Sequence, residues 1–222
     1  MTESILTVLF SSGLDSAVLL AQAAAASQNV QPLYVSVGLA WEEEEQAMAA
    51  RLVASLPPMR PMKVLAVDMT DVYPATHWAI RGEAPAFDTP DSDVYLEGRN
   101  VILLSKAAVS MARLGSPRVL IGLLADNPFP DSSRRFLDAM EVALSAGLAF
   151  SISIDAPFSG MTKADVVRLG LTLGVPFELT LSCMQPVEGE HCGRCSKCRE
   201  RRDAFAEAGI QDPARYAARP PR

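Results

Sequence analysis

Short apolar runs alternate along the chain with segments in which apolar residues recur at helical spacing. Runs rich in Val, Ile and Leu predict β-strands at residues 5–9, 32–37, 62–67, 118–122 and 151–154. The segments between the runs predict α-helices at residues 17–23, 42–55, 98–114, 131–146 and 162–173. Repeated strand–helix units of this length predict an α/β fold, with a parallel five-stranded sheet and helices on both faces.

Two segments add detail to this pattern. Four consecutive glutamates, Glu42–Glu45, open the second predicted helix, where carboxylates suit the positive end of the helix dipole. Residues 69–97 carry His77, Trp78 and several Asp and Pro residues without clear periodicity. A loop of that length inside a compact domain is usually functional or mobile.

A loop of small polar residues directly follows the first predicted strand. Residues 10–16 read Phe-Ser-Ser-Gly-Leu-Asp-Ser and precede an apolar helix. Such a turn presents unpaired backbone N–H groups and the positive end of the helix dipole, which favours phosphate, and Asp15 adds a carboxylate suited to Mg²⁺. The alternative is a serine-rich turn in which Asp15 caps the helix. The loop has neither the Gly-Lys-Ser/Thr of a Walker A motif nor the spacing of a dinucleotide fingerprint.

All four cysteines lie near the C-terminus, with a spacing typical of a metal site. They are Cys183, Cys192, Cys195 and Cys198. Four thiolates in this arrangement predict a tetrahedral structural Zn²⁺ site, which is closed to substrate and stabilises the fold around it. A pair of disulfides is disfavoured because no signal peptide is evident and a bridge across two intervening residues is strained.

Composition and charge limit the function further. The 222 residues, 49% of them hydrophobic, predict one domain with at most a small appendage, and no apolar stretch has membrane-spanning length. The net charge of −6 argues against a large nucleic-acid surface. The acidic start, Met1–Ser4, argues against a leader and favours the cytoplasm. Basic residues are concentrated in the cysteine segment, at Arg194, Lys197, Arg199, Arg201 and Arg202. They form either an anion-binding site or a solvated helix face.

Several polar clusters follow the predicted strands and begin the predicted helices. They lie at residues 11–16, 98–100, 126–131 and 162–163. In a parallel sheet, ligands bind at the carboxyl ends of the strands near the switch point, so these clusters are expected to meet in one site.

The motifs resemble those of a known family. Residues 11–16 resemble the PP-loop of the ATP pyrophosphatase superfamily, usually Ser-Gly-Gly-x-Asp-Ser, with Ser12 in place of a glycine. Further segments resemble its 7-cyano-7-deazaguanine synthase branch, at residues 96–100, 130–131, 161–170, 174–180, 182–183, 192–198 and 212–216. Residues 31–95 match poorly, and residues 37–42 replace the family's Tyr-Gly-Gln-x-His-type segment.

The resemblance implies a Rossmann-like, adenine nucleotide alpha hydrolase-like fold with two parts. Residues 1–180 would form a PP-loop ATP-binding α/β domain, and residues 181–222 a zinc-binding helical segment. The implied nucleotide-binding residues are Ser11, Ser12, Gly13, Leu14, Asp15, Ser16 and Asn100. The implied catalytic residues are Asp15, with Mg²⁺ nearby, Lys163 and Arg99.

The implied reaction is ATP-dependent adenylation of a carboxylate. In this branch, 7-carboxy-7-deazaguanine and ammonia give 7-cyano-7-deazaguanine. The expected partners are therefore a small carboxylate, ATP and ammonia, and a homodimer is compatible with this interpretation. One alternative is a paralogue that adenylates or amidates a different carboxylate, including one on a partner protein. A second alternative is a non-catalytic nucleotide-binding zinc scaffold.

Overall fold

The computed structural model describes residues 4–218 and contains the predicted parallel sheet. Its five strands are β1 (Leu6–Leu9), β2 (Val30–Ser36), β3 (Lys63–Ala66), β4 (Arg118–Leu120) and β5 (Ser153–Asp155). They are ordered β3-β2-β1-β4-β5, and every neighbouring pair is parallel. After β3 the chain crosses back to β4 beside β1, so the switch point lies at the carboxyl end of β1.

Seven α-helices connect and cover the described strands. They are α1 (Leu14–Ala26), α2 (Glu42–Ser55), α3 (Trp78–Arg81), α4 (Arg99–Leu114), α5 (Arg134–Leu148), α6 (Lys163–Thr172) and α7 (Ser196–Ala208). Short 3₁₀ turns lie at Asp91–Val94, Pro130–Ser132 and Phe177–Leu179. None of the helices in the described part of the chain combines the length and the apolar character needed to cross a bilayer.

Local capping chemistry sets where two of the helices begin. Thr162 caps α6 as one half of a capping box, with Asp165 as the other half. Helix α5 begins at Arg134, three residues later than predicted, because Pro130–Ser132 forms a 3₁₀ turn. Ser133 then caps α5, since its side chain accepts a hydrogen bond from the Phe136 N–H.

The two faces of the sheet bury separate apolar clusters. Successive residues of a strand point to opposite faces, so Val8 of β1 packs with α1 and α6, whereas Leu9 packs towards α4 and α5. The four cysteines belong to the same cluster as Leu9. The cysteines therefore pack with the cluster on the α4 and α5 side, whereas Ala204 and Phe205 of α7 belong to the cluster on the α1 and α6 side.

Residues 69–97 contain only α3 and the 3₁₀ turn Asp91–Val94 as helical structure, in keeping with their lack of periodicity. Hydrogen bonds join the two ends of the segment to each other and its middle to α7. The Tyr73 hydroxyl donates to the Glu97 carbonyl at 2.9 Å, and Arg199 of α7 donates to the Phe87 and Thr89 carbonyls at 2.9 and 3.0 Å. The two arginine bonds hold the segment against the C-terminal helix.

Of the two interpretations of the basic C-terminal residues, an anion site or a solvated helix face, the solvated face is wrong for Arg201. Arg201 is only 1% exposed, because it points inward from α7 and pairs with Asp212. The sequence interpretations that concern residues 1–3 and 219–222 lie outside the described residues.

Candidate active site and four-cysteine cluster

A cavity of about 300 Å³ opens at the carboxyl ends of the central strands. A second hollow of about 470 Å³ adjoins it on the side of α6 and α7, and the two share Asp15, Lys163 and Lys197. The structure brings most of the predicted site residues to the first cavity: Ser11, Gly13, Leu14, Asp15, Ser16, Arg99, Asn100 and Lys163. The polar clusters therefore meet, as the switch-point argument requires.

The loop between β1 and α1 presents the start of the helix to this cavity. Gly13 is the N-cap of α1 and provides no side-chain cap, so the first amides of the helix face the cavity without a side-chain partner. The Ser16 hydroxyl closes the loop, since it accepts from the Ser11 N–H at 3.2 Å and donates to the Gly13 carbonyl at 2.9 Å. A cradle of this kind, at the positive end of a 13-residue helix, suits a phosphate group.

Ser12 lies behind the cradle, with its side chain turned away from the cavity. Its φ is +59°, in the left-handed region that glycine occupies without strain. The residue is fully buried, and its hydroxyl donates to the Glu45 carbonyl at 3.0 Å. The Ser12 carbonyl accepts from the Leu181 N–H at 2.9 Å. Ser12 thus connects the loop to α2 and to the start of the cysteine segment.

A row of alternating charges crosses the cavity wall beside the loop. Lys163 Nζ lies 3.2 Å from Asp15 Oδ2 and also contacts Glu200, and Lys197 Nζ lies 2.6 Å from the other Glu200 oxygen. Burial lowers the pKa of Lys163, but Asp15 and Glu200 outweigh it and raise the pKa. Burial raises the pKa of Glu200, but the two lysines outweigh it and lower the pKa to about 2. Lys163 and Glu200 therefore remain charged at neutral pH.

Asp15 and two other residues that line the cavity have buried polar atoms without a protein partner. Burial raises the pKa of Asp15, and its Oδ1 is without a hydrogen bond. Across the cavity, Asp131 Oδ2 accepts from the Asn100 N–H at 3.0 Å, whereas Asp131 Oδ1 and Arg99 Nε are unpartnered. Since buried polar atoms are nearly always hydrogen-bonded, these atoms mark positions where a ligand or ion is expected.

Sequence reasoning missed Glu45, which lies at the cavity on the α2 side. It is 6% exposed, and its Oε2 accepts from the Tyr34 hydroxyl at 2.6 Å. Burial raises the pKa of Glu45 to about 7, against the opposing effects of Arg99 and Tyr34. The neighbouring Glu42 is structural, because it accepts from the Val37 and Gly38 N–H groups at 2.9 and 3.1 Å.

Aromatic pairs form two walls of the cavity. The rings of Trp41 and Trp78 are nearly parallel, at 7°, with centroids 5.8 Å apart. Tyr95 and Phe129 stack with centroids 5.0 Å apart. Since all four side chains line the cavity, its walls suit planar ring systems.

The four cysteines form a buried cluster that is able to hold a metal ion. Their Sγ atoms lie within 4.8 Å of one another, with separations of 3.9, 3.9 and 3.5 Å for Cys183–Cys195, Cys192–Cys198 and Cys195–Cys198. Tetrahedral coordination at about 2.3 Å places thiolates roughly 3.8 Å apart, so the spacing fits Zn²⁺. Backbone N–H groups of Gln185 and Cys192 point at Cys183 Sγ from 3.3 and 3.2 Å, as suits a thiolate.

Comparisons with known proteins match nearly the whole length of the chain. The profile of the family described as "Queuosine biosynthesis protein QueC" matches residues 5–209. The 7-cyano-7-deazaguanine synthase of Anaeromyxobacter dehalogenans is 36% identical, with 95% of this chain and 94% of that protein covered. The synthase of Anaeromyxobacter sp. strain Fw109-5 is 38% identical, with 94% of each covered.

A solved structure supports the fold. The U34-tRNA thiolase NcsA from Methanococcus maripaludis, determined with its [4Fe-4S] cluster, superimposes with a TM-score of 0.51 at 12% identity. The match covers 98% of this chain and 77% of that one. At this identity the likeness concerns the fold alone.

Proposed function

The chain belongs to the QueC family of queuosine biosynthesis proteins, and we propose that it is an ATP-dependent ligase that makes 7-cyano-7-deazaguanine from 7-carboxy-7-deazaguanine and ammonia. The observation that carries the proposal is the meeting, in one cavity, of the α1 cradle, Lys163 and the pair Arg99 and Asn100. These groups suit a nucleotide phosphate at one end and a carboxylate at the other.

The first step is adenylation of the acid. A carboxylate oxygen of the substrate attacks the α-phosphorus of ATP, and the bond to the β-phosphate oxygen breaks to release pyrophosphate. The amides of residues 14–16 hold the leaving pyrophosphate at the positive end of α1. Lys163, charged throughout, stabilises the negative charge that develops in transfer. Arg99 orients the carboxylate, because no side-chain ion pair within the described residues engages its guanidinium.

The later steps need no nucleophilic side chain. Ammonia attacks the acyl carbon of the adenylate, AMP leaves, and one proton is released to give the amide. In the second ATP-dependent step the amide oxygen attacks the α-phosphorus of ATP and pyrophosphate leaves. Loss of the two N–H protons, and of the oxygen with AMP, then gives the nitrile. All four cysteines of the chain are in the cluster, so no thiol is available to carry sulfur.

Two metal ions complete the proposal. The cysteine cluster would hold a structural Zn²⁺, because four thiolates close its coordination shell. Mg²⁺ would bind next to the phosphates at Asp15, whose unpartnered Oδ1 is a free oxygen ligand. Ser12 would contribute its backbone to the cradle, since its hydroxyl is bonded to Glu45. We place this reaction in the cytoplasm.

The proposal is tested with purified zinc-loaded protein, ATP, Mg²⁺, an ammonium salt and 7-carboxy-7-deazaguanine. Mass spectrometry should detect the nitrile together with AMP, and pyrophosphate should appear only when the acid is present. Lys163→Met is the inactive control.

Failure of this test separates the two alternatives. A protein that binds ATP but is silent with this acid acts on a different carboxylate, which the divergent segment 31–95 would select. A protein that neither binds ATP nor turns over is a scaffold. Either result would reject the proposed substrate.

A further inference from the structure

One buried carboxylate in the cavity has no role in the steps described above. Glu45 faces the cavity from the first turn of α2, four residues after Trp41, so both side chains lie on the same face of the helix. No salt bridge among residues 4–218 includes Glu45, and the Arg99 guanidinium lowers the pKa of Glu45 only from beyond salt-bridge distance. A buried carboxylate without a directly bonded cation is costly unless hydrogen-bond donors surround it.

The protein supplies only part of the donors that Glu45 needs. An ionised carboxylate has about four acceptor positions. The Tyr34 hydroxyl occupies one at 2.6 Å, and the nearby Ser11 hydroxyl also lowers the pKa of Glu45. The remaining positions are available to a ligand in the cavity.

The wall beside Glu45 is flat and aromatic. Trp41 stacks on Trp78 with an interplanar angle of 7°, and both rings line the cavity. A planar heterocycle stacked against these rings carries its in-plane N–H groups at its edge, and Glu45 lines the same cavity as an acceptor for them.

We propose that Glu45 is a specificity-determining residue that accepts hydrogen bonds from two adjacent N–H donors on the ring edge of the acid substrate. The inference rests on the proposed function. The deazaguanine ring carries such an edge, a ring N–H beside an exocyclic amine, and a carboxylate matches it with two parallel bonds.

The same chemistry argues against adenine at this position. Adenine presents an amine beside an acceptor nitrogen, so an ionised carboxylate accepts one bond and faces a lone pair with its second oxygen. Repulsion between this lone pair and the carboxylate oxygen disfavours the adenine of ATP at Glu45. Glu45 would therefore distinguish the deazaguanine ring of the acid from the adenine ring of ATP.

The test compares two acids, 7-carboxy-7-deazaguanine and its analogue without the exocyclic amine. The wild-type protein should prefer the first in kcat/KM by roughly 10- to 100-fold, as expected for a hydrogen bond to a charged group. In Glu45→Gln the side chain keeps its shape but replaces one acceptor with a donor. The preference should fall to within about twofold, while the KM for ATP changes by less than about twofold.

Two control variants separate recognition from structure. Glu43→Gln alters an exposed glutamate of the same turn and should leave the preference intact. Tyr34→Phe removes the protein donor but not the acceptors of Glu45, so it too should keep the preference.

Three results would overturn the inference. The first is an unchanged preference in Glu45→Gln. The second is a raised KM for ATP with an unchanged KM for the acid, which would place adenine at Glu45. The third is an equal loss of activity with both acids in Glu45→Gln and in Tyr34→Phe, which would show a structural role. If wild-type protein binds neither acid in calorimetry, the proposed function fails and the inference fails with it, whereas the other results leave that function standing.

Discussion

Replacing Arg201 by methionine tests how the C-terminal segment is held to the sheet domain. The Arg201 guanidinium donates to both oxygens of Asp212 at 2.9 Å, to the Thr180 hydroxyl at 2.6 Å and to the Phe177 carbonyl at 3.0 Å. It also lies 5.0 Å from the centre of the Phe205 ring. One side chain therefore joins α7, the turn Phe177–Leu179 and residue 212.

The expected loss of stability follows from the carboxylate that Arg201→Met leaves unpaired. Methionine fills much of the volume but leaves Asp212 buried without its cation, a defect that costs about 3–5 kcal/mol. For a protein of this size, each kcal/mol lowers the midpoint of thermal unfolding by about 2–4 °C, so Arg201→Met should unfold about 6–20 °C lower. The adjacent Arg202 lies 5.7 Å from the Phe87 ring, and Arg202→Met should cost less than about 1 kcal/mol.

The assay is thermal unfolding, followed by circular dichroism, of the wild type and both variants at equal metal loading. Burial raises the pKa of Asp212, but Arg201 outweighs it and lowers the pKa. A carboxylate whose pKa is lower in the folded state stabilises the protein above its unfolded pKa, near 3.9, and loses that contribution as the pH falls through the folded pKa. The difference between wild type and Arg201→Met should therefore shrink in acid. A loss below about 1 kcal/mol at pH 7 would refute this account.

Three further predictions concern the metal cluster, the phosphate chemistry and pH. Cys195→Ser removes one thiolate, so elemental analysis should find the zinc content far below one per chain and the unfolding midpoint should fall. Full zinc retention would contradict the four-cysteine site. Lys163→Met should slow pyrophosphate release by at least roughly a hundredfold, because the transition-state charge loses its buried cation, and a rate near wild type would exclude that role. The pKa of Glu45 is raised to about 7, so its ionisation destabilises the folded state increasingly as the pH rises from the unfolded pKa, near 4.3, and to the full extent above about 7. Glu45→Gln should therefore raise the free energy of unfolding by about 1–3 kcal/mol relative to wild type at pH 8 and by little at pH 5, as chemical denaturation at both pH values would show.

The sheet could be predicted from the sequence because its signal is local. Residues 5–9 and 32–37 form mostly apolar runs, as expected of buried parallel strands, and β1 lies within the first run while β2 overlaps the second. Convergence of the phosphate loop and Lys163 was also predictable, since strand order alone brings the carboxyl ends of β1 and its neighbours together. Helix starts were less predictable, because Ser133, rather than Asp131, caps α5.

The roles of Glu45 and Arg201 could not be predicted from charge alone. A run of four glutamates and a basic C-terminal segment both indicate solvated surfaces, yet the partners of these two residues lie 11 positions away, at Tyr34 and Asp212. A periodic signal was nevertheless present. The buried positions of α2 recur at helical spacing, at Glu42, Glu45, Met48, Ala49 and Leu52. On α7, Arg201 lies three residues from both Cys198 and Ala204, on the same buried face. A charged residue at an inward position of an amphipathic helix indicates a buried partner.

Ser12 shows how the divergent segment and the phosphate loop depend on each other. A non-glycine residue at φ +59° costs roughly 1–2 kcal/mol, and a buried hydroxyl hydrogen bond returns about 1 kcal/mol. The 3.0 Å bond from Ser12 to the Glu45 carbonyl therefore offsets much of the strain, and it joins the cradle to the turn of α2 that carries Glu45. A glycine would remove the strain and the bond together. In this chain Ser12 therefore fixes the turn of α2 that carries Glu45 relative to the phosphate cradle. The serine that replaces the usual PP-loop glycine is thus bonded directly to the segment, residues 31–95, that also differs from the family pattern.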